Sequence, residues 1–198
     1  MSPPPAPTLW FNNATINKAA ALVPAGRPVL AIGPAANWPA KTWPAENFIE
    51  LINKLTAADS ILPQARVAVF AAPGEEKIAY KVLNALPLER RVDVIAKASP
   101  VVAAAALQRC NLYIGNDSGL MHCAAAGGVP TLGLFGPSWP QLYHPWGDRA
   151  AYAATPETCD QLTSRPDYNP ATVMPSLMTS LTVETVTATA VDLWKKFS

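Results

Sequence analysis

The sequence predicts an α/β fold, a doubly wound parallel sheet, and three observations carry that reading. Continuous apolar runs of strand length alternate with stretches whose apolar residues recur at helical spacing, in the order β-α-β-α-β-α-β-α-β. Alternation of this kind builds parallel strands joined by right-handed crossovers. Half of the 198 residues are hydrophobic, enough for a sizeable core. The 21 prolines sit largely at the boundaries between runs, where they punctuate elements rather than disrupt them.

Met1 to Thr8 is a Pro-rich lead, expected to be poorly ordered. Trp10 to Val23 holds a short helix; residues 1–25 are read as lead, linker and helix ahead of one domain over 26–198. Pro28 to Gly33 is the first strand. After a loop, Pro44 opens a helix to Ala57, with Glu46 near its positive end and Phe48, Leu51, Ile52 and Leu55 on one face. Arg66 to Ala71 is the second strand. Pro73-Gly74 turns it into a helix that begins at Glu75 and Glu76 and reaches about Leu86. Val92 to Ala96 is the third strand, and Ser99-Pro100 caps and starts a helix to Gln108. Asn111 to Gly115 is the fourth strand. Asn116 to Gly119 is a cluster of turn and cap residues, and Leu120 to Ala126 is a compact Ala-rich helix ended by Gly127 and Gly128. Thr131 to Phe135 is the fifth strand, closed by Gly136-Pro137. Beyond Ser138 the pattern thins. Trp139 to Gly147 reads as an irregular aromatic loop, Ala150 to Ala154 as a last short strand, and Thr155 to Pro175 as loop. Thr182 to Phe197 reads as a closing helix, with Thr182 as cap and Glu184 in its first turn.

Composition excludes several classes. With 15 basic and 14 acidic residues, the net charge of +1 gives no electrostatic footprint for nucleic acid or an anionic membrane. No apolar run approaches the ~20 residues a spanning helix needs, and the N-terminus lacks the basic and apolar regions of a signal peptide. Cys110, Cys123 and Cys159 form no C-x-x-C pair, so neither a disulfide framework nor a zinc site is indicated, and a reducing cytoplasm fits. There is no P-loop, no G-x-G-x-x-G fingerprint and no G-x-S-x-G elbow. No Asp-x-Asp pair or His cluster is present to hold a catalytic metal. Neither cofactor nor metal is expected.

The chemistry concentrates in two loops at carboxyl ends of strands, where open α/β sheets bind ligands. One runs from Asn116 to Gly119 into a helix whose first amides favour an anion. Asp117 either caps that helix, or leaves the cap to Ser118 and projects into the cleft. Gly119 fits both, since a missing Cβ permits close backbone approach. His122 lies three positions on, about one turn away on the same face; spacing alone makes it a structural histidine more often than a functional one. Met121 and Cys123 read as packing residues. The other loop carries Lys41, either a solvated lysine or a cation facing the same cleft. Glu75 and Glu76 open a helix, where the dipole favours carboxylates whatever their function.

Asp117-Ser118-Gly119-Leu120-Met121-His122, followed by three alanines, Gly128-Val129-Pro130-Thr131 and Leu134-Phe135-Gly136-Pro137-Ser138, resembles the ADP-heptose:lipopolysaccharide heptosyltransferase family, glycosyltransferase family 9. Lys41-Thr42-Trp43-Pro44 is similar to that family's Lys-x-Trp-Pro pattern. The chain departs from it at Pro34-Ala35-Ala36, where the family often has Pro-Gly-Ala, and at Thr42, which replaces a frequent arginine. The resemblance implies that the amides of Ser118, Gly119 and Leu120 meet a diphosphate, with Lys41 neutralising its charge. It further implies that Asp117 accepts hydrogen bonds from sugar hydroxyls and that His122 is a donor-substrate contact. It sets an acidic residue, Glu75 or Glu76, near the ribose, and Lys97 and Ala98 at the base pocket.

Residues from about Gly26 to Lys196 resemble the C-terminal, donor-binding half of such an enzyme. The family pairs two Rossmann-like domains across a cleft, the GT-B arrangement, and moves heptose from ADP-heptose, or a related nucleotide sugar, to the inner core of lipopolysaccharide. Its acceptor site and catalytic base lie in the N-terminal half, which this chain does not match, so no catalytic residue is assigned. The chain is expected to be a fragment, an excised domain or a stand-alone relative. A cytoplasmic location is expected, with peripheral attachment at the inner membrane as an option. Two other readings stay open: a non-catalytic nucleotide-sugar-binding module, and half of a sugar-nucleotide epimerase. The latter would need acid/base groups on both sides of the cleft, and only Asp117 and His122 are candidates.

Overall fold

The computed structural model describes residues 6–169 and 174–197. Helix α1 (Asn13–Leu22) starts where Asn12 Oδ1 accepts the Thr15 N–H at 2.9 Å. Then follow β1 (Val29–Gly33), α2 (Ala45–Leu55), β2 (Arg66–Ala71), α3 (Glu76–Asn84), β3 (Arg91–Ile95) and α4 (Pro100–Leu107). The second half comprises β4 (Leu112–Asn116), α5 (Gly119–Ala126), β5 (Thr131–Phe135), α6 (Pro140–Tyr143), β6 (Ala150–Ala154), α7 (Cys159–Thr163) and α8 (Val183–Lys195).

All six strands pair in parallel, in the order β3-β2-β1-β4-β5-β6. Strand periodicity divides the core. Leu30, Ile32, Val67 and Val69 face Phe48, Leu51 and Leu55 of α2, Val82 of α3, and Val186 and Leu193 of α8. Val29, Ala31, Ala68 and Phe70 face Ala19 of α1, Ala103 and Leu107 of α4, and Met121 and Ala124 of α5. Both faces are covered, which is why the strands read as unbroken apolar runs rather than as alternating ones. Each large aliphatic side chain buried in this way stabilises the fold by about 1.5–3 kcal/mol relative to exposure. Helix α1 belongs to this packing: Ala19 and Val23 are fully buried, and Arg109 Nε donates to the Val23 carbonyl at 2.5 Å.

Several expectations change in detail. Pro44 stands at the cap position of α2, because its ψ of 138° is extended rather than helical. Asn116 completes β4 instead of joining the turn. The aromatic stretch after β5 holds one helical turn, α6, opened by Pro140. The stretch expected as loop from Thr155 holds α7, fixed by a capping box in which Thr158 and Gln161 take up each other's backbone N–H groups. Residues 170–173 of that stretch, and 1–5 of the Pro-rich lead, lie outside the described residues.

The order reverses direction between β1 and β4, whose ends meet with Gly33 opposite Gly115. The crevice at that switch point is where an open sheet of this kind takes a ligand.

Candidate functional site

A cleft of about 830 Å³ opens at the carboxyl ends of the strands. That volume lies in the range of small-molecule sites. One end is polar, bounded by Lys41, Asp117, Ser118, Gly119 and His122; the other is apolar, bounded by Phe70, Val94, Ala98 and Ala103.

The Lys41 loop is held by backbone and side-chain bonds at several points. Pro39 starts a single 3-10 turn ending at Lys41, with the Lys41 N–H donating to the Trp38 carbonyl at 3.0 Å. Asn116, fully buried, fastens both flanks of the loop to the end of β4. Its Oδ1 accepts from the Trp43 N–H at 3.0 Å, and its Nδ2 donates to the Pro34 carbonyl at 2.9 Å. Trp43 anchors the other side: its indole N–H donates to the Leu181 carbonyl at 2.8 Å, and its ring meets Phe48 edge-on. Lys41 is thereby aimed across the switch point, where Nζ lies 3.0 Å from Asp117 Oδ2 and 3.4 Å from the Asp117 carbonyl.

The pairing answers the question left open for Asp117. Its carboxylate turns to Lys41, and the residue before α5 is Ser118, whose side chain makes no capping bond. The first-turn amides of α5 have no intrahelical acceptor, so they open onto the polar end of the cleft beside a cation. That combination suits an anion. With side-chain exposures of 18% and 10%, the Lys41–Asp117 pair is shielded enough to count for more than a surface ion pair.

Of the other expected residues, Glu75 lines the cleft and Glu76 does not. Both carboxylates serve the turn after β2: Glu75 Oε2 accepts the Ala72 N–H and Glu76 Oε2 the Gly74 N–H, each at 2.8 Å. Gly74 sits at φ +94°, which is why glycine follows Pro73 there. Leu120 and His122 line the cleft, with His122 exposed. Ala98 lines it too, whereas Lys97 is engaged with Asp93 at 2.7 Å. Cys123 lines the cleft half-buried, and desolvation pushes its thiol pKa up. Sequence reasoning missed Ser138, Trp139 and Tyr143, which close the side next to β5. Trp139 and Tyr143 were signalled only by an aromatic cluster following a strand's carboxyl end, and Ser138 by its place at the end of the run from Leu134. Among the described residues no group of three or more His, Cys, Asp or Glu side chains is gathered to hold a metal. No helix among them is long and apolar enough to cross a membrane.

The sequence profile described as Glycosyltransferase family 9 (heptosyltransferase) matches residues 3–172. The chain is 34% identical over 129 residues to lipooligosaccharide heptosyltransferase 2 of Haemophilus influenzae, a match covering 63% of this chain and 36% of that protein. It thus spans about a third of the length of the curated relatives it matches. Among solved structures, a glycosyl transferase family 9 protein from Veillonella parvula superposes with a TM-score of 0.75 at 23% identity, over 96% of this chain and 54% of that one. ADP-heptose LPS heptosyltransferase II of E. coli superposes with a TM-score of 0.72 at 23% identity, over 98% of this chain and 56% of that one. These two likenesses bear on the fold, which corresponds to about half of each larger structure.

Proposed function

The chain belongs to glycosyltransferase family 9, and from that membership we propose that its cleft binds the donor, ADP-heptose or a related nucleotide sugar, as one half of a GT-B enzyme acting on the lipopolysaccharide inner core. The observation that carries this reading is the pairing of Lys41 with Asp117 beside the uncapped start of α5. In the proposed complex the α5 amides and Lys41 meet the diphosphate. The second Asp117 oxygen and His122 are left for the sugar and phosphate. The apolar end, near Phe70 and Val94, takes the base, with Glu75 toward the ribose.

The chemistry asked of this half is stabilisation of a leaving diphosphate. Fixed amides and one ammonium, aimed at where negative charge develops, can supply that without a metal. The acceptor pocket and catalytic base belong, on this reading, to a second domain facing the cleft. The working location is cytoplasmic, with peripheral contact at the inner membrane where the lipid acceptor lies.

Calorimetry tests the donor site. Saturable binding of ADP and ADP-heptose is expected, and no heat with either at millimolar ligand would remove the reading's foundation.

A further inference from the structure

The loop after β5 brings two large aromatic residues to the cleft. Trp139 and Tyr143 both line it, and each keeps nearly half of its surface exposed, 44% and 47%. Among the described residues neither ring stacks on another aromatic. They lie one turn apart on the same side of α6, with the Tyr143 N–H donating to the Trp139 carbonyl at 3.1 Å. The turn is fixed at both ends. Pro140 opens it, and the Pro140 carbonyl accepts the His144 N–H at 2.9 Å. The His144 ring stacks on Tyr152 of β6 at 5.8 Å, and Tyr152 meets the buried Phe135 of β5 edge-on. Aromatic surface held in place on a cleft wall is a ready contact for a ligand, because little ordering entropy remains to be lost on binding.

The sheet order sets out what reaches these rings. Phe70 and Val94 of the apolar end belong to β2 and β3, Lys41 follows β1, Asp117 follows β4, and Trp139 follows β5. The Asp117 N–H donates to the Leu134 carbonyl of β5 at 3.2 Å, so the polar and aromatic parts of the cleft are directly joined. Three strand spacings separate β2 from β5, about 14 Å in all. That is the reach of an extended nucleoside diphosphate sugar.

We propose that Trp139 and Tyr143 form the sugar subsite, taking the C–H face of the pyranose ring carried on the second phosphate. The inference rests on the donor reading of the cleft. An aromatic ring has an electron-rich face. Pyranose C–H groups are weakly positive at hydrogen, so one face of the sugar can leave water for such a ring. The sugar hydroxyls stay at the ring's edge, where Asp117 and Ser138 line the same cleft. A nucleobase is the other flat group that aromatic side chains could take. The apolar wall of β2 and β3 receives it on the far side of the diphosphate, which leaves the β5 side to the sugar.

The test compares wild type, Trp139→Ala, Trp139→Phe and Tyr143→Ala in calorimetry with ADP and with ADP-heptose, alongside thermal unfolding without ligand. Loss of the Trp139 ring should weaken ADP-heptose by about five- to tenfold while ADP stays within about twofold. Tyr143→Ala should show the same selectivity with a smaller loss, and Trp139→Phe should keep most of the wild-type affinity. The ligand-free variants should unfold near the wild-type temperature, since both residues are half exposed. Unchanged ADP-heptose affinity in both alanine variants would overturn the proposal and leave the donor reading standing, as would equal losses for ADP and ADP-heptose. Variants that no longer fold would make the rings part of the packing and overturn it too. Absence of ADP and ADP-heptose binding by the wild type would overturn the donor reading and this proposal with it.

Discussion

Lys41 and Asp117, 76 residues apart in the chain, meet at 3.0 Å across the switch point and join the loop after β1 to the loop after β4. The contact holds a cation two residues ahead of α5. Lys41→Ala should therefore weaken ADP by about ten- to a hundredfold, the range for a charge-assisted contact, and adenosine far less. Calorimetry with the two ligands checks this. Equal losses would show that Lys41 acts through the fold and not on the phosphate.

Asn116 holds the Lys41 loop from beneath, so its loss should register twice. Asn116→Ala leaves the buried Trp43 N–H and the Pro34 carbonyl without their partners, a cost of about 1–3 kcal/mol in urea unfolding. ADP affinity should fall as well, because Lys41 is no longer aimed. Reduced stability with unchanged ADP affinity would make Asn116 a fastening of the fold alone.

The thiol of Cys123 reports on the same cleft. Its pKa is raised by desolvation, so less thiolate exists at any given pH than in an unfolded chain, and thiolate is the reactive form. Alkylation by iodoacetamide near pH 7 should be slower than in the urea-unfolded protein and should accelerate as pH rises. Saturating ADP should slow it further, since Cys123 lines the cleft. Peptide mass spectrometry separates it from Cys110, whose thiol is pushed up to about 12 by burial. ADP-independent labelling of Cys123 would place the ligand elsewhere.

Chelation offers a fourth check. With Lys41 and the α5 amides proposed to carry the phosphate charge, EDTA should leave ADP affinity within about twofold, a change worth under 0.5 kcal/mol. A large loss that magnesium or manganese restores would require ligands for a cation that the present reading does not include.

The legible and illegible parts of this chain divide along physical lines. Strand β5 could be read at its true ends because Thr131 to Phe135 is an unbroken buried run between Pro130 and Gly136. Strand β2 could be read for the same reason, and α2 from its apolar face. Helix α7 was missed because five residues among turn formers show no period; its one local signal was Thr158 followed three positions later by Gln161. The residues of the site were legible through a local motif, Asp117 to His122, and through Lys41-Thr42-Trp43-Pro44. Their partnerships were not. Whether Asp117 caps α5 or meets Lys41 depends on a contact across the sheet, and nothing in the spacing of 76 residues encodes it. The choice between Glu75 and Glu76 likewise depends on how the turn at Gly74 aims two adjacent side chains.

The final prediction concerns turnover. These 198 residues, expressed alone, should bind donor and fail to transfer sugar efficiently. Transfer needs a base at the acceptor hydroxyl and a pocket that holds the acceptor in line with the anomeric carbon. Lys41, Gly119 and His122 line the cleft, and the proposed reading assigns them to a leaving diphosphate. The Asp117 carboxylate is already engaged by Lys41 at 3.0 Å. Water can still reach an open cleft, so slow donor hydrolysis is the expected residual activity. The measurement is mass spectrometry of a lipopolysaccharide acceptor incubated with ADP-heptose and the chain, alone and with a separately expressed N-terminal domain from a family member. Transfer only in the presence of that domain is the expected result. Efficient transfer by the 198 residues alone would mean that the base lies within them, and His122 would then be the first side chain to replace.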